Sequence, residues 1–200
     1  MIKENNNNGW SQAFLIVMGI LWVSAMVAGF MVLEREEFTP VASTQVVASF
    51  PPDSAIQLAS DKPTLVMFLH PYCPCSRASL HELDELLAET QNKVSMTIVF
   101  TIPKGIEPGW EQGVLWKSAA ALPGVRIMRD EGGVEALRFG VKGSGHTLLY
   151  DASGRLLFSG GITPSRGHEG DSEGRSAIVD FVHNGHASVS HTPVFGCSLL

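Results

Sequence analysis

The stretch Thr64-Leu65-Val66-Met67-Phe68-Leu69-His70-Pro71-Tyr72-Cys73-Pro74-Cys75 decides how the chain is read. Its first six residues form an apolar run, as in a strand buried on both faces. A helical pattern follows at once. Residues 76–90 place Leu80, Leu83, Leu86 and Leu87 on one face and Glu82, Asp84, Glu85 and Glu89 mostly on the other. Two of the three cysteines therefore sit where a strand hands over to a helix. A sulfur there lies near the positive end of the helix dipole and its unpaired N–H groups, which stabilise a thiolate, the reactive form. Pro74 costs no hydrogen bond in a first helical turn. The pattern predicts Cys73 as the exposed, attacking sulfur and Cys75 as its more shielded partner. Two structural core cysteines are the competing reading. The close spacing, the flanking prolines and the position after a buried strand count against it.

The alternation continues downstream. Val94–Ile102 is β-branched and reads as a strand, and Gly109–Leu122 reads as a helix ended by Pro123-Gly124. Val125–Met128 is a short strand and Gly132–Phe139 a short helix stopped by Gly140. Thr147–Tyr150 and Arg155–Phe158 are strands joined by the turn Asp151-Ala152-Ser153-Gly154. Ser172 is placed to cap a last helix running through Val182, with Gly185 beyond its end. Three βα units, a hairpin and a helix describe an α/β sandwich over residues 61–185.

The 200 residues carry 14 Lys+Arg and 20 Asp+Glu, a net charge of −6, which argues against a nucleic-acid binder. The hydrophobic share, 44%, excludes a disordered chain. The mean hydropathy, +0.13, owes its sign to the N-terminal segment. Trp10–Leu33 has no charged residue, and Ser11, Gln12 and Ser24 are its only clearly polar members. At ~1.5 Å per residue it spans a ~30 Å hydrocarbon core. The run is longer than the apolar region of a signal peptide, and Ala25-Met26-Val27-Ala28 is a poor cleavage site, so an uncleaved anchor is expected. A short head, residues 1–9 with Lys3, precedes it. Arg35 follows it, while Glu34, Glu36 and Glu37 weigh little on orientation. The short head favours a cytoplasmic N-terminus with the remainder extracytoplasmic, periplasmic in a bacterium. Residues 34–60, rich in Ala, Ser, Thr, Val and Pro, read as a tether broken by Pro40 and Pro51-Pro52. Val46-Val47 or Phe50 is a candidate edge strand.

The strand and cysteine lead Leu65–Pro74, together with Gly140-Val141-Lys142-Gly143-Ser144-Gly145-His146-Thr147, resembles membrane-anchored thioredoxin-like proteins of the TlpA and redoxin type. A weaker similarity is to the RedB-type branch. The resemblance covers about residues 61–184. It implies a thioredoxin-like fold, a central mixed sheet flanked by helices, and thiol–disulfide exchange at the cysteine pair. Two departures stand out. One residue is missing between the cysteines, giving Cys-Pro-Cys, and the family's cis-proline aligns with Gly145. Loss of that proline would open space beside the sulfurs.

Around the pair, His70 is a candidate to raise thiolate character or bind metal. His146 would lie in the loop facing the cysteines. Tyr72, Pro74, Arg77 and Gly145 complete the candidate surroundings, and each histidine can equally be a solvated loop residue. Thr163–Asp171 is a polar, glycine-rich loop that can order over the site or lie on the surface. The tail, residues 186–200, carries Cys197, an odd cysteine that demands a partner in an oxidising compartment. Val194-Phe195 and Leu199-Leu200 are apolar enough to dock it.

The leading reading is a membrane-tethered, extracytoplasmic thiol–disulfide oxidoreductase. Cys73 attacks, and Cys75 or Cys197 resolves the mixed disulfide. Its partners would be extracytoplasmic cysteine-containing proteins, such as apocytochromes or metal-site proteins. No cofactor is expected, since no phosphate-cradling glycine motif is present. The alternative is a metal-binding or metal-delivery protein that holds copper, as Cu(I), or another thiophilic metal through Cys73 and Cys75 with His70 or His146. A catalytically silent binding module is a third reading. Three pairings stay open: Cys73 with Cys75, which demands a tight turn around Pro74, Cys197 with one of that pair, or no intramolecular disulfide.

Overall fold

The computed structural model describes residues 7–42, 45–91 and 93–199. The chain divides into two units, Met1–Phe38 and Thr39–Leu200. The first is helix α1, Asn7–Glu37. Its stretch Trp10–Glu37 has a mean hydropathy of 2.4 and is long and apolar enough to cross a membrane. The expected span, residues 10–33, lies within it. Lys3 and the first six residues of the expected head lie outside the described residues.

The second unit is built on five strands: β1 Thr64–Leu69, β2 Ser95–Ile102, β3 Val125–Glu131, β4 His146–Tyr150 and β5 Leu156–Gly160. Their order across the sheet is β3-β2-β1-β4-β5. β1 pairs in parallel with β2, and β2 with β3, whereas β4 runs antiparallel to both β1 and β5. Helices α2 Cys75–Thr90, α3 Val114–Ala121, α4 Val134–Phe139 and α5 Glu173–Asn184 complete it. Ser172 caps α5 by accepting the Arg175 N–H at 3.2 Å. This is the mixed sheet flanked by helices that the sequence predicts. α3 begins five residues later than expected, because residues 109–113 turn first, with Gly109 at a φ of +98°.

β1 is buried along its whole length, so its alternate residues build two cores. Leu65, Met67 and Leu69 meet Leu80, Leu83 and Leu86 of α2, Leu115 of α3 and Ile178 of α5. Val66 and Phe68 meet Ala136 and Phe139 of α4, with Val99, Leu148 and Tyr150 from the neighbouring strands. α4 has only six residues and cannot cover this second face alone.

That shortage explains why residues 39–60 are not the free tether expected within 34–60. Ile56 is buried in the second core, and Phe50 stacks edge-on against Phe139 and Tyr150, at 5.3 and 5.2 Å between centroids. Backbone bonds fix the segment: Phe50 N–H donates to Gly154 C=O at 2.7 Å, and Leu156 N–H to Ala48 C=O at 2.9 Å. Ser49 bridges Arg155, so an edge contact forms where Phe50 suggested one. The prolines prevent a helix here without preventing packing.

The tail is also part of the unit. Ser159 N–H donates to Ser190 C=O, Gly161 N–H to Pro193 C=O, and Val41 N–H to Val194 C=O. Val194 and Leu199 are buried, while Leu200 lies outside the described residues. A chain starting at Thr39 should therefore unfold cooperatively. One starting at Asp61 should be weaker by about 4 kcal/mol, from two apolar side chains at ~1.5–3 kcal/mol each. Urea midpoints of the two chains check this.

Candidate functional site

Leu69 ends β1, and the chain turns sharply before α2. His70 C=O accepts the Cys73 N–H at 3.1 Å, and Cys73 C=O accepts the Ser76 N–H at 3.1 Å. Pro74 precedes the helix at a φ of −58°, and Cys75 is its first residue. Cys73 thus comes off the end of a buried strand with its position set by backbone bonds on both sides.

Against this turn lies the tail. Ser144 N–H donates to Cys197 C=O and Leu199 N–H to Lys142 C=O, both at 2.8 Å, and Gly143 bridges Ser198 in antiparallel fashion. Gly196 rests so close to the Ser144 carbonyl that a Cβ has no room. Arg166, from the 163–171 loop, donates to Gly196 C=O at 2.7 Å and to Thr39 C=O at 3.1 Å. These contacts bring the Cys197 sulfur to 2.6 Å from that of Cys73. The sulfurs of Cys73, Cys75 and Cys197 all lie within 4.8 Å of one another.

The exposure of the Cys-Pro-Cys pair is the reverse of the sequence expectation. Cys73 is 5% exposed, whereas Cys75 is intermediate, because the tail sulfur lies against Cys73. Cys73 still lines one cleft of about 810 Å³, beside Pro71, Tyr72 and Pro74 and opposite Val114 and Leu115. Arg77 lines the same cleft.

The three thiols are electrostatically unequal. Burial pushes Cys73 up. Hydrogen bonds from the Cys197 thiol and N–H and the Ser76 hydroxyl and N–H outweigh it, and hold Cys73 below the ordinary thiol value. Burial raises Cys75, and the neighbouring Cys73 raises it further, although Arg166 opposes this. Cys197 is pushed up to about 12, first by burial and then by its hydrogen bond to Cys73 and the charges of both other sulfurs. The arrangement favours one thiolate, on Cys73, with the other two sulfurs protonated.

The histidines are not part of the cluster. His70 Nδ1 accepts the Tyr72 N–H at 3.2 Å, and its ring lies edge-on to Trp110. Burial lowers its pKa. Tyr72, 53% exposed, donates its hydroxyl to Trp110 C=O and packs on that ring at 4.5 Å. His146 does not sit in a loop facing the cysteines. It begins β4 opposite Phe68, is buried, and meets the Ser159 hydroxyl through Nε2 at 2.9 Å.

Gly145 does not leave open space either. Its N–H donates to Phe68 C=O at 2.8 Å, its φ is +89°, and a Cβ would fall 2.7 Å from Ser79 Oγ. Proline has no N–H and a φ near −65°, so it cannot occupy this position as it stands. The neighbouring backbone is instead covered by the tail. In the 163–171 loop, His168 pairs with Ser165 and Asp171 with Arg175.

Sequence reasoning missed three residues. Ser144 receives the His70 N–H on its hydroxyl at 2.9 Å and shares a 2.6 Å hydrogen bond with Ser76 Oγ. Arg166 braces the tail. Ser144 lies inside the quoted 140–147 motif, which is the one signal that could have marked it. Ser76 and Arg166 carry no such signal.

His146 makes a pH prediction. Burial, then repulsion from His191, lowers its pKa from 6.5 to about 4. Between those values the unfolded chain holds a proton here that the native protein does not. This neutral histidine's contribution is therefore intact above pH 6.5 and falls as the pH drops towards 4. His146→Gln should flatten that acid-side loss by roughly 3 kcal/mol. Denaturant midpoints for both chains at neutral pH and near the lower value check it.

No family model matches the sequence, and no curated protein matches it. Among solved structures, an uncharacterized conserved protein from Geobacillus kaustophilus is 18% identical, with a TM-score of 0.59 over 82% of this chain and 90% of that one. A hypothetical protein from Sinorhizobium meliloti is 17% identical, with a TM-score of 0.61 over 78% and 96%. The exposed lipoprotein thioredoxin of Streptococcus pneumoniae overlaps more weakly, at 17% identity and a TM-score of 0.45 over 70% and 98%. Likenesses at these identities speak to fold alone. The strand order β3-β2-β1-β4-β5 and the cysteine turn between β1 and α2 match the thioredoxin-like fold that the sequence resemblance implies, and an N-terminal helix long and apolar enough to cross a membrane precedes it in the sequence.

Proposed function

We propose that this protein is a membrane-tethered thiol–disulfide oxidoreductase with Cys73 as its reactive sulfur. The observation that carries the reading is the three-sulfur cluster at the β1–α2 junction, in which Cys73 alone is held below the ordinary thiol value. Cys73 also lines the adjoining cleft, whereas Cys75 and Cys197 are not among its lining residues. A disulfide entering the cleft meets Cys73 first. The Cys73 thiolate attacks one sulfur of that disulfide, and the other leaves as a thiolate. A second protein thiol, Cys75 or Cys197, then attacks Cys73 Sγ and expels the bound sulfur. Two protein thiols are oxidised to a disulfide and one substrate disulfide is reduced to two thiols. The reverse sequence oxidises a substrate dithiol.

In this reading α1 anchors the chain with its N-terminus in the cytoplasm. The domain works in the extracytoplasmic space, periplasmic in a bacterium, where its partners are cysteine-containing proteins. Cys73→Ser should reduce disulfide-reductase activity to background while leaving the unfolding midpoint in place. Alkylation of Cys73 should also have its pH midpoint below that of an ordinary thiol, near 8.5, with the rate falling as the pH drops through it. Full activity in Cys73→Ser would remove the proposal.

A second reading is favoured by one observation, that three sulfur donors converge within 4.8 Å. Thiolates suit Cu(I) or another soft ion. The donors would be the three cysteines without His70 or His146, which differs from the set expected from sequence. Under this reading the reduced protein binds one Cu(I) per chain, and Cys197→Ser weakens binding at least about tenfold, as loss of one of three donors to a soft ion entails. Competition with a chelator for Cu(I) measures this.

A further inference from the structure

We propose that Cys197, seated beside Cys73 by the C-terminal segment, is the thiol that resolves mixed disulfides at Cys73, so that the working disulfide of this protein is Cys73–Cys197. This deepens the oxidoreductase reading and rests on it. The tail is not a loose end that happens to carry sulfur. Its backbone is paired on both sides of Cys197. Ser144 N–H binds the Cys197 carbonyl, Leu199 N–H binds Lys142, and Ser198 bridges Gly143. Upstream, Arg166 holds Gly196 C=O, and Val41 N–H holds Val194 C=O. Leu199 and Val194 bury their side chains on either side of it.

The cysteine these contacts position is the one whose sulfur lies 2.6 Å from Cys73. Cys75 reaches Cys73 only across Pro74, whose ring restricts its own φ and disfavours helical backbone at Cys73. Cys75, the first residue of α2, keeps its sulfur within 4.8 Å of Cys73 and interacts with it, but the sulfur 2.6 Å from Cys73 is that of Cys197. Cys197 is free of the Pro74 constraint.

The steps balance. The Cys73 thiolate attacks the substrate disulfide, forming a Cys73–substrate bond and releasing one substrate thiolate. Cys197 gives up its proton to solvent and attacks Cys73 Sγ. The Cys73–Cys197 bond forms, and the second substrate sulfur leaves with the electron pair. The oxidised protein is returned to the dithiol by a partner thiol pair.

The test uses the reduced full-length chain in detergent and one equivalent of dithiodipyridine, an aromatic disulfide that releases two thiopyridones when fully resolved and one when it stops at the adduct. Wild type and Cys75→Ser should release two, and peptide mapping should find Cys73 joined to Cys197. Cys197→Ser should release one promptly and hold the adduct on Cys73 for at least about tenfold longer. Gly196→Ala keeps every thiol but brings a Cβ against Ser144, and it should lengthen the adduct's life in the same way while sparing the first release. Second release from Cys197→Ser as fast as from wild type overturns the proposal. A fast first release from Cys73→Ser is a different failure, because it removes Cys73 as the attacking sulfur and with it the underlying reading.

Discussion

Ser144 joins the two halves of the site. Its hydroxyl accepts the His70 N–H and meets Ser76 Oγ, which ties it to the cysteine turn and to the start of α2. Its N–H binds the Cys197 carbonyl, which ties it to the tail. One buried residue thus sets the turn and the tail in a common frame. Neighbouring Gly145 joins this residue to the start of β4 through a positive φ and a hydrogen bond to Phe68 on β1. The position of the sulfurs therefore depends on the sheet, through a strand pair buried on both faces. It does not rest on the cysteine turn alone.

Within that frame the three sulfurs cannot ionise alike. They lie close enough that a second negative charge is opposed by the first, and partial burial makes each charge more costly. The hydrogen bonds decide which sulfur ionises. Cys73 receives hydrogen bonds from Ser76 and Cys197, whereas Cys197 keeps its proton and shares it in that hydrogen bond. In the proposed cycle a bond at Cys73 would remove two of the causes that raise Cys197, its hydrogen bond to Cys73 and the Cys73 charge, while burial, the largest, stays.

How much of this was legible in the sequence depends on the range of the interactions. β1 read directly, because a strand buried on both faces has an apolar run of the right length, and the placement of Cys73 and Cys75 followed from it. The cap Ser172 and the stop Gly185 read equally well, because both act within a turn of α5. Residues 39–60 did not. Their composition is that of a tether, and only the shortness of α4 creates the uncovered face that Phe50 and Ile56 fill. His146 was misplaced because its position next to Gly145 does not say that β4 has already begun or which face its side chain takes. The tail was ambiguous for a similar reason: its apolar residues allow docking but do not say where, and its anchors are backbone groups and Arg166.

The distances along the chain sharpen the comparison between the two candidate partners of Cys73. Cys75 is two residues away and always near, whereas Cys197 is 124 residues away and must be brought back. For a free chain end, closing so long a loop carries an entropic cost that grows slowly with length, and holding the last residues adds about 1–2 kcal/mol for each backbone fixed. Here the loop is closed by the fold itself, because β5, the 39–42 segment and the 142–144 backbone each make hydrogen bonds with the tail. The cost is therefore met on folding, and each encounter at Cys73 starts with Cys197 already in place, which is the condition for a high effective concentration. Chain proximity favours Cys75, but preorganisation and freedom from Pro74 favour Cys197. In the proposed cycle the second consideration governs which sulfur resolves the mixed disulfide.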